Sequence, residues 1–233
     1  MEQFDLEMDK LKKRVLKMCS LVEEQLQLSM KAFEDEDMEI ARQVIEMDDK
    51  VDKYDVKIDK AAMRLLALRQ PVASDLRYII SAMTINSNLE RIGDISVNLA
   101  ENFMSLKKKP SFLDRSRLPQ MADLVKMMIH NAIDSFINND PGLAKKVIDD
   151  DDLLDRYNSE NHRSLLEIIK ESPENAEAAV AILFLCREME RLGDHATNIA
   201  ENVFFILEAH IIKHKYEKFL HEEDDSDKDS SEK

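Results

Sequence analysis

Glu90, Asp94, Asn98 and Glu101 fall on one stripe of a helix that turns by about 100° per residue, and all four side chains end in oxygen. One hundred residues further on the same types recur as Glu190, Asp194, Asn198 and Glu201, inside segments 89–102 and 189–202 that match at most polar positions. A repeat that kept only a core would preserve apolar residues first, so a shared polar pattern points to a duplicated site. Upstream, Asp48, Asp52, Asp55 and Asp59 make a second stripe, matched by Asp151, Asp155, Asn158 and His162. Like carboxylates four residues apart repel by a few tenths of a kcal/mol per pair, and a bound cation removes that cost. Carboxylate and amide oxygens with an occasional imidazole suit iron, manganese, magnesium or calcium better than copper or structural zinc. The alternative for these stripes is a solvated acidic face on an acidic chain, and the duplication of the whole pattern weighs against it.

Other residues of these segments have less specific readings. Gly93 and Gly193, two of only three glycines, sit inside helical patterns, where each costs about 1 kcal/mol relative to Ala. A close helix approach explains that better than room for a ligand. Arg91 and Arg191 flank the stripes and are read as internal ion-pairing partners. Arg69 and Arg77 bracket a loop without a counterpart in the second half, so interhelix pairing and a weak partner contact both stand for them. Cys19 and Cys186 have no paired spacing and read as packing thiols.

The elements that carry these residues are helices. Phe4, Met8, Leu11, Val15, Met18, Val22, Leu26, Met30 and Phe33 recur every three or four positions in a stretch with neither Gly nor Pro. Asp37 is the expected N-cap of a second helix that Pro71 ends, and Ser74 or Asp75 that of a third running to the cations at 107–109. After a linker at 110–119 the layout returns, with a helix to about Asn138, a start at Asp140-Pro141-Gly142 and a break at Pro173. Ala41, Val44, Ile45, Asp48, Asp52 and Tyr54 align with Ala144, Val147, Ile148, Asp151, Asp155 and Tyr157. The fold class is therefore all-α: two tandem, pseudo-symmetric three-helix bundles made of six long helices, over 1–109 and 120–220, with a disordered acidic tail at 221–233.

Thirty-three Lys and Arg stand against 48 Asp and Glu, a formal charge of -15, which excludes broad contact with a nucleic-acid backbone. No apolar run is long enough to span a bilayer and no signal sequence opens the chain, so the expected location is cytoplasmic.

The chain resembles the PhoU family of phosphate-signalling regulators. The resemblance rests on Arg69-Gln-Pro-Val-Ala-Ser-Asp-Leu-Arg77, on Glu-Arg-Ile-Gly-Asp at 90–94, on Glu-Arg-Leu-Gly-Asp-His-Ala-Thr-Asn at 190–198, and on the duplication. It implies two bundles side by side with surface metal clusters, chiefly iron, on paired acids: Asp48 with Asp52, Glu90 with Asp94, Asp151 with Asp155 and Glu190 with Asp194. It also implies a non-enzymatic adapter between the ATPase of a phosphate ABC transporter and a sensor histidine kinase, restraining starvation signalling and meeting the membrane only through those partners. A homodimer is expected. The alternative is a carboxylate-bridged metalloenzyme, a phosphatase or an oxidase. Against the oxidase, no Glu-x-x-His pair occurs in the chain. The second copy of the motif fits the family pattern better than the first, where Ile95 replaces His195, so the two sites are unequal.

Overall fold

The computed structural model describes residues 2–106 and 108–208. Six long helices run in order: α1 (Glu2–Asp35), α2 (Met38–Arg69), α3 (Ala73–Leu106), α4 (Leu118–Asn138), α5 (Pro141–Glu171) and α6 (Ala176–Glu208). Among the described residues there is no strand. The first three helices pack together as one bundle and the last three as another. The tail at 221–233, and residues 209–220 assigned to the second bundle, lie outside the described residues.

The first turn of each bundle has one local design. Glu36 and Asn139 adopt left-handed backbone angles that stop α1 and α4. The next residue, Asp37 or Asp140, then caps the following helix. Its carboxylate accepts two backbone N–H groups, from Glu39 and Ile40 or from Gly142 and Leu143, at 2.8 and 3.2 Å in both cases. The second connections differ. Gln70, which ends α2, and Ala73, the first residue of α3, both take positive φ angles, whereas a 3-10 turn at Pro173–Asn175 leads into α6.

Two expected helix ends are corrected. Ser74 and Asp75 lie within the first turn of α3 and do not cap it, because the chain enters from the left-handed Ala73. At the other end α3 stops at Leu106. Lys109 serves α1 instead: its Nζ donates to the Glu34 carbonyl at 2.8 Å and its N–H to Glu36 Oε1 at 2.7 Å. The linker holds a short 3-10 turn at Leu113–Arg115.

The halves are joined through α3 and α6, which pack on each other as well as on their own bundles, while α1 and α4 touch more lightly. A single apolar cluster runs from Met8 and Leu11 of α1 to Phe204 of α6. Tyr78 of α3 stacks on Phe136 of α4 with ring centroids 6.0 Å apart. A smaller cluster of Ala32, Ala41, Val44, Ala100 and Phe103 fills the far end of the first bundle. Burying a ring such as Phe103 contributes about 2–3 kcal/mol. Cys19 and Cys186 are buried and free, and burial pushes each thiol up to about 12.

The motif glycines are points of close approach. A Cβ on Gly93 would stand 3.1 Å from both Val51 Cγ1 of α2 and Gln25 Oε1 of α1. One on Gly193 would run into the side chain of Leu154 of α5, with Asp151 Oδ1 at 3.3 Å. Leu154 is fully packed, so it has little room to retreat. Gly193→Val should lower the unfolding free energy by about 1–3 kcal/mol in urea titrations; an unchanged midpoint would mean that α6 can back away from α5.

Candidate functional site

The close approach sets the acidic stripe of α2 against that of α3, and the stripe of α5 against that of α6. In the first half Asp48 is within electrostatic range of Asp52 and Asp94, and Glu90 of Asp94, Asp55 and Asp52. In the second, Asp151 feels Asp155, Asp194 and Glu190. The helices thus bring together the four acids named from the motif in each half. They form a groove wall in which Asp48, Glu90, Asp94, Asp151 and Glu190 are half-buried while Asp52, Asp155 and Asp194 stay exposed.

The cost of that arrangement shows in the titration of the acids. Burial, followed by repulsion from neighbouring aspartates, holds Asp55, Glu90, Glu190 and Asp194 above the usual carboxylate range. Asp48 is raised as well, again chiefly by burial, although a hydrogen bond from Gln25 works against the shift. Asp151 is pushed furthest, to about 6, first by burial and then by Asp155 and Asp194.

Three amides line these acids, each turning its NH2 toward a carboxylate. Gln25 Nε2 donates to the Val44 carbonyl at 3.2 Å and to Asp48 Oδ1 at 3.5 Å. Asn86 Nδ2 donates to Asp55 Oδ1 at 2.6 Å and Asp59 Oδ1 at 3.2 Å, and Asn158 Nδ2 to Glu190 Oε2 at 2.7 Å. The carbonyl oxygens of all three are buried without a hydrogen-bond partner. A buried oxygen left unpaired is costly, and a cation is one partner that would satisfy it. Carboxylates and free amide oxygens in one groove make a donor set suited to a hard cation. As the side chains stand, however, no group of three or more His, Cys, Asp or Glu among the described residues is arranged to hold one. Loading would require rotamer changes, for which the exposed Asp52 and Asp155 are free.

The remaining candidates fall elsewhere. Neither hydrogen bond nor ion pair joins the side chains of Asn98, Glu101, Asn198 and Glu201 to the acids, among the described residues. At the level of α3 where Asn98 and Glu101 stand, α2 presents buried Ala41 and Val44, packed with Ala100 and Phe103. Arg91 bridges Asp94 at 3.0 Å and Glu90 at 3.3 Å, while Arg191 turns away to the buried Glu188 at 2.9 Å. Arg69 is held by Glu7 of α1 through two hydrogen bonds of 3.1 and 3.2 Å. Arg77 keeps a buried Nε without a partner.

His195 belongs to the junction between the halves. Its Nδ1 lies 2.9 Å from Asn88 Oδ1 of α3, and burial, then the charges of Arg191 and Arg91, hold its pKa below the ordinary value. Its counterpart Ile95 is fully buried in the core. Gln25 and Asn86 were not legible as site residues. The only signal was Gln25's place on the apolar stripe of α1, three residues after Val22 and one before Leu26.

Comparison with known proteins places this geometry in context. The PhoU domain model matches the chain twice, over residues 15–103 and 118–203. A phosphate-specific transport system accessory protein PhoU homolog from Aquifex aeolicus is 37% identical over 212 residues, covering 91% of this chain and 96% of that protein. A homolog from Thermotoga maritima is 34% identical, covering 87% and 88%. The crystal structure of PhoU from Pseudomonas aeruginosa superimposes with a TM-score of 0.85 at 34% identity, over 89% of this chain and all of that one. The phosphate transport system regulatory protein PhoU from Streptococcus pneumoniae gives 0.79 at 27% identity, over 90% and 99%.

The raised acids have a consequence for stability. The folded chain keeps the Asp151 proton to about pH 6, whereas an unfolded aspartate releases it near about 3.9. This group therefore favours the folded state at low pH, and the contribution is lost as pH rises through 6. In metal-free protein Asp151→Asn should raise the melting temperature by a few degrees at about pH 7.5 and leave it unchanged at about pH 4. Equal effects at both pH values would locate the change outside the titration.

Proposed function

The chain belongs to the PhoU family, and from that premise we propose that it is a cytoplasmic accessory regulator of phosphate uptake and phosphate-starvation signalling. It links the ATPase of the phosphate ABC transporter to a sensor histidine kinase and restrains the starvation response when phosphate is sufficient. The observation that carries this reading is the double match to the PhoU domain, one in each bundle, with relatives of nearly the same length that are phosphate-specific transport accessory proteins. No helix among the described residues is long and apolar enough to cross a membrane, so contact with the transporter runs through protein surfaces in this reading.

Regulation needs a shaped surface, and the two acidic grooves are the surfaces that a ligand would shape. Asp48, Asp52, Glu90 and Asp94, and Asp151, Asp155, Glu190 and Asp194, would hold hard divalent ions, iron foremost, with the free oxygens of Gln25 and Asn158 beside them. Bound metal would supply charge neutralisation, which offsets the burial and removes the mutual repulsion that together raise those acids. No reacting group is required. Both cysteines are buried and protonated at neutral pH, and the groove acids have roles as ligands alone. The protein acts as a homodimer in this reading. Arg77 is the arginine of its loop left for a partner, since Glu7 engages Arg69.

Two measurements test the proposal. Asp94→Ala combined with Asp194→Ala, purified without chelator, should lose its iron by elemental analysis while circular dichroism shows undiminished helix. Retained metal would put the sites elsewhere, and a loss of helix would make both acids structural. In phosphate-replete cells, removal of the chain should switch on starvation genes; silence of those genes would overturn the regulatory role.

A further inference from the structure

Away from the acidic grooves, the opposite end of the α1–α2 pair carries the reverse charge. Lys10 and Arg14 of α1 and Lys60 and Arg64 of α2 line a cleft of about 480 Å³, within the range of ligand pockets. None of the four is in an ion pair among the described residues. Arg14 gives one N–H to the Lys57 carbonyl at 3.1 Å. The one acid in the wall, Glu7, is engaged by Arg69. Glu7, already hydrogen-bonded to Arg69, also lies within electrostatic range of Lys10 and Arg64, yet four cations against this one shared acid leave the concavity net positive in a chain of charge -15, a setting that suits an anion.

We propose that this cleft receives an acidic peptide, and that its occupant is the chain's own segment Glu222-Glu-Asp-Asp-Ser-Asp227. Five of those six residues are acidic, the densest run of negative charge after the last described helix. The fold delivers the chain to the right end of the molecule. α4 and α6 run parallel: Leu118 and Ala122 line one cavity with Leu185 and Met189, and Met128 lies 3.6 Å from the Cβ position of Gly193. The last turns of α6 therefore come level with Phe136. Phe136 stacks on Tyr78, and Lys12 of α1 sits 5.3 Å above the Tyr78 ring, so α6 ends beside the part of α1 that carries Lys10 and Arg14. Thirteen residues separate Glu208 from Glu222, a length that spans up to about 45 Å, against a helix diameter of about 10 Å. Tethering supplies the segment at an effective concentration on the order of millimolar, which lets individually weak, salt-screened ion pairs hold it.

Zero-length carbodiimide coupling on the full-length chain at low salt tests the pairing, because it joins lysine amines only to carboxylates already in contact with them. Peptide mass spectrometry should find Lys10 and Lys60 linked to Glu222–Asp227 within the single-chain band. Those links should be at least fivefold more abundant than links from Lys17 or Lys50, and should vanish at 0.5 M salt. A uniform distribution over the lysines overturns the proposal, as does their confinement to a two-chain band, which would make a second copy the occupant. A calorimetric titration with tripolyphosphate gives an independent readout. The full-length variant Glu222→Gln, Glu223→Gln, Asp224→Asn, Asp225→Asn, Asp227→Asn should bind it at least tenfold more tightly than the unaltered chain, because its cleft is open. Equal affinity would show a cleft that serves free polyanions and not the tail.

Discussion

The close approach of α3 to α2 at Gly93, and of α6 to α5 at Gly193, is the constraint on which the rest depends. Without a side chain at those positions the helices settle against Val51 and Leu154, which brings the acidic stripes on either side within electrostatic range of each other. Glu90 and Asp94 then face Asp52 and Asp48, and Glu190 and Asp194 face Asp155 and Asp151. Packing energy is thereby spent on burying acids beside one another, and the upward shift of six of them reflects burial first and mutual repulsion second. The amides relieve it only in part: Gln25 donates to Asp48, Asn86 to Asp55 and Asp59, and Asn158 to Glu190, and each leaves its own oxygen stranded.

The second organising contact is the antiparallel packing of α3 on α6. It merges two bundles into one apolar core and brings the two copies of the motif near each other, with Arg91 and Arg191 both within electrostatic range of His195. The motif thus has two working faces. One turns its acids to the neighbouring helix of its own bundle, and the other joins the halves.

Much of this was legible in the sequence, for definite reasons. Asp37 and Asp140 mark helix starts because their carboxylates bond the next free N–H groups, a local event that neighbours do not alter. The repeat gave the two bundles, and the spacing of Asp48, Asp52, Glu90 and Asp94 gave the stripes. What spacing cannot give is the identity of the facing element. It set Asn98 and Glu101 on the same stripe as Asp94, yet α2 turns apolar at Val44 and Ala41 and the acidic wall ends there. Asn88 carried no sign of its role because its partner lies 107 residues away, on a helix of the other half. Ser74 and Asp75 misled for a related reason: the left-handed Ala73, a conformation rarely adopted by that residue, is not foreseeable from local preference.

The Asn88–His195 contact also bears on how the duplication can be taken apart. Antiparallel packing that sets residue 88 level with 195 sets 95 level with 188, so the exchangeable positions are Asn88 with Glu188 and Ile95 with His195. Two copies of the first half would put each Asn88 amide against an isoleucine, whereas two copies of the second would put Glu188 against His195, an acid against its natural base. The junction is therefore not symmetric under the duplication: each half supplies a residue type there that its counterpart lacks.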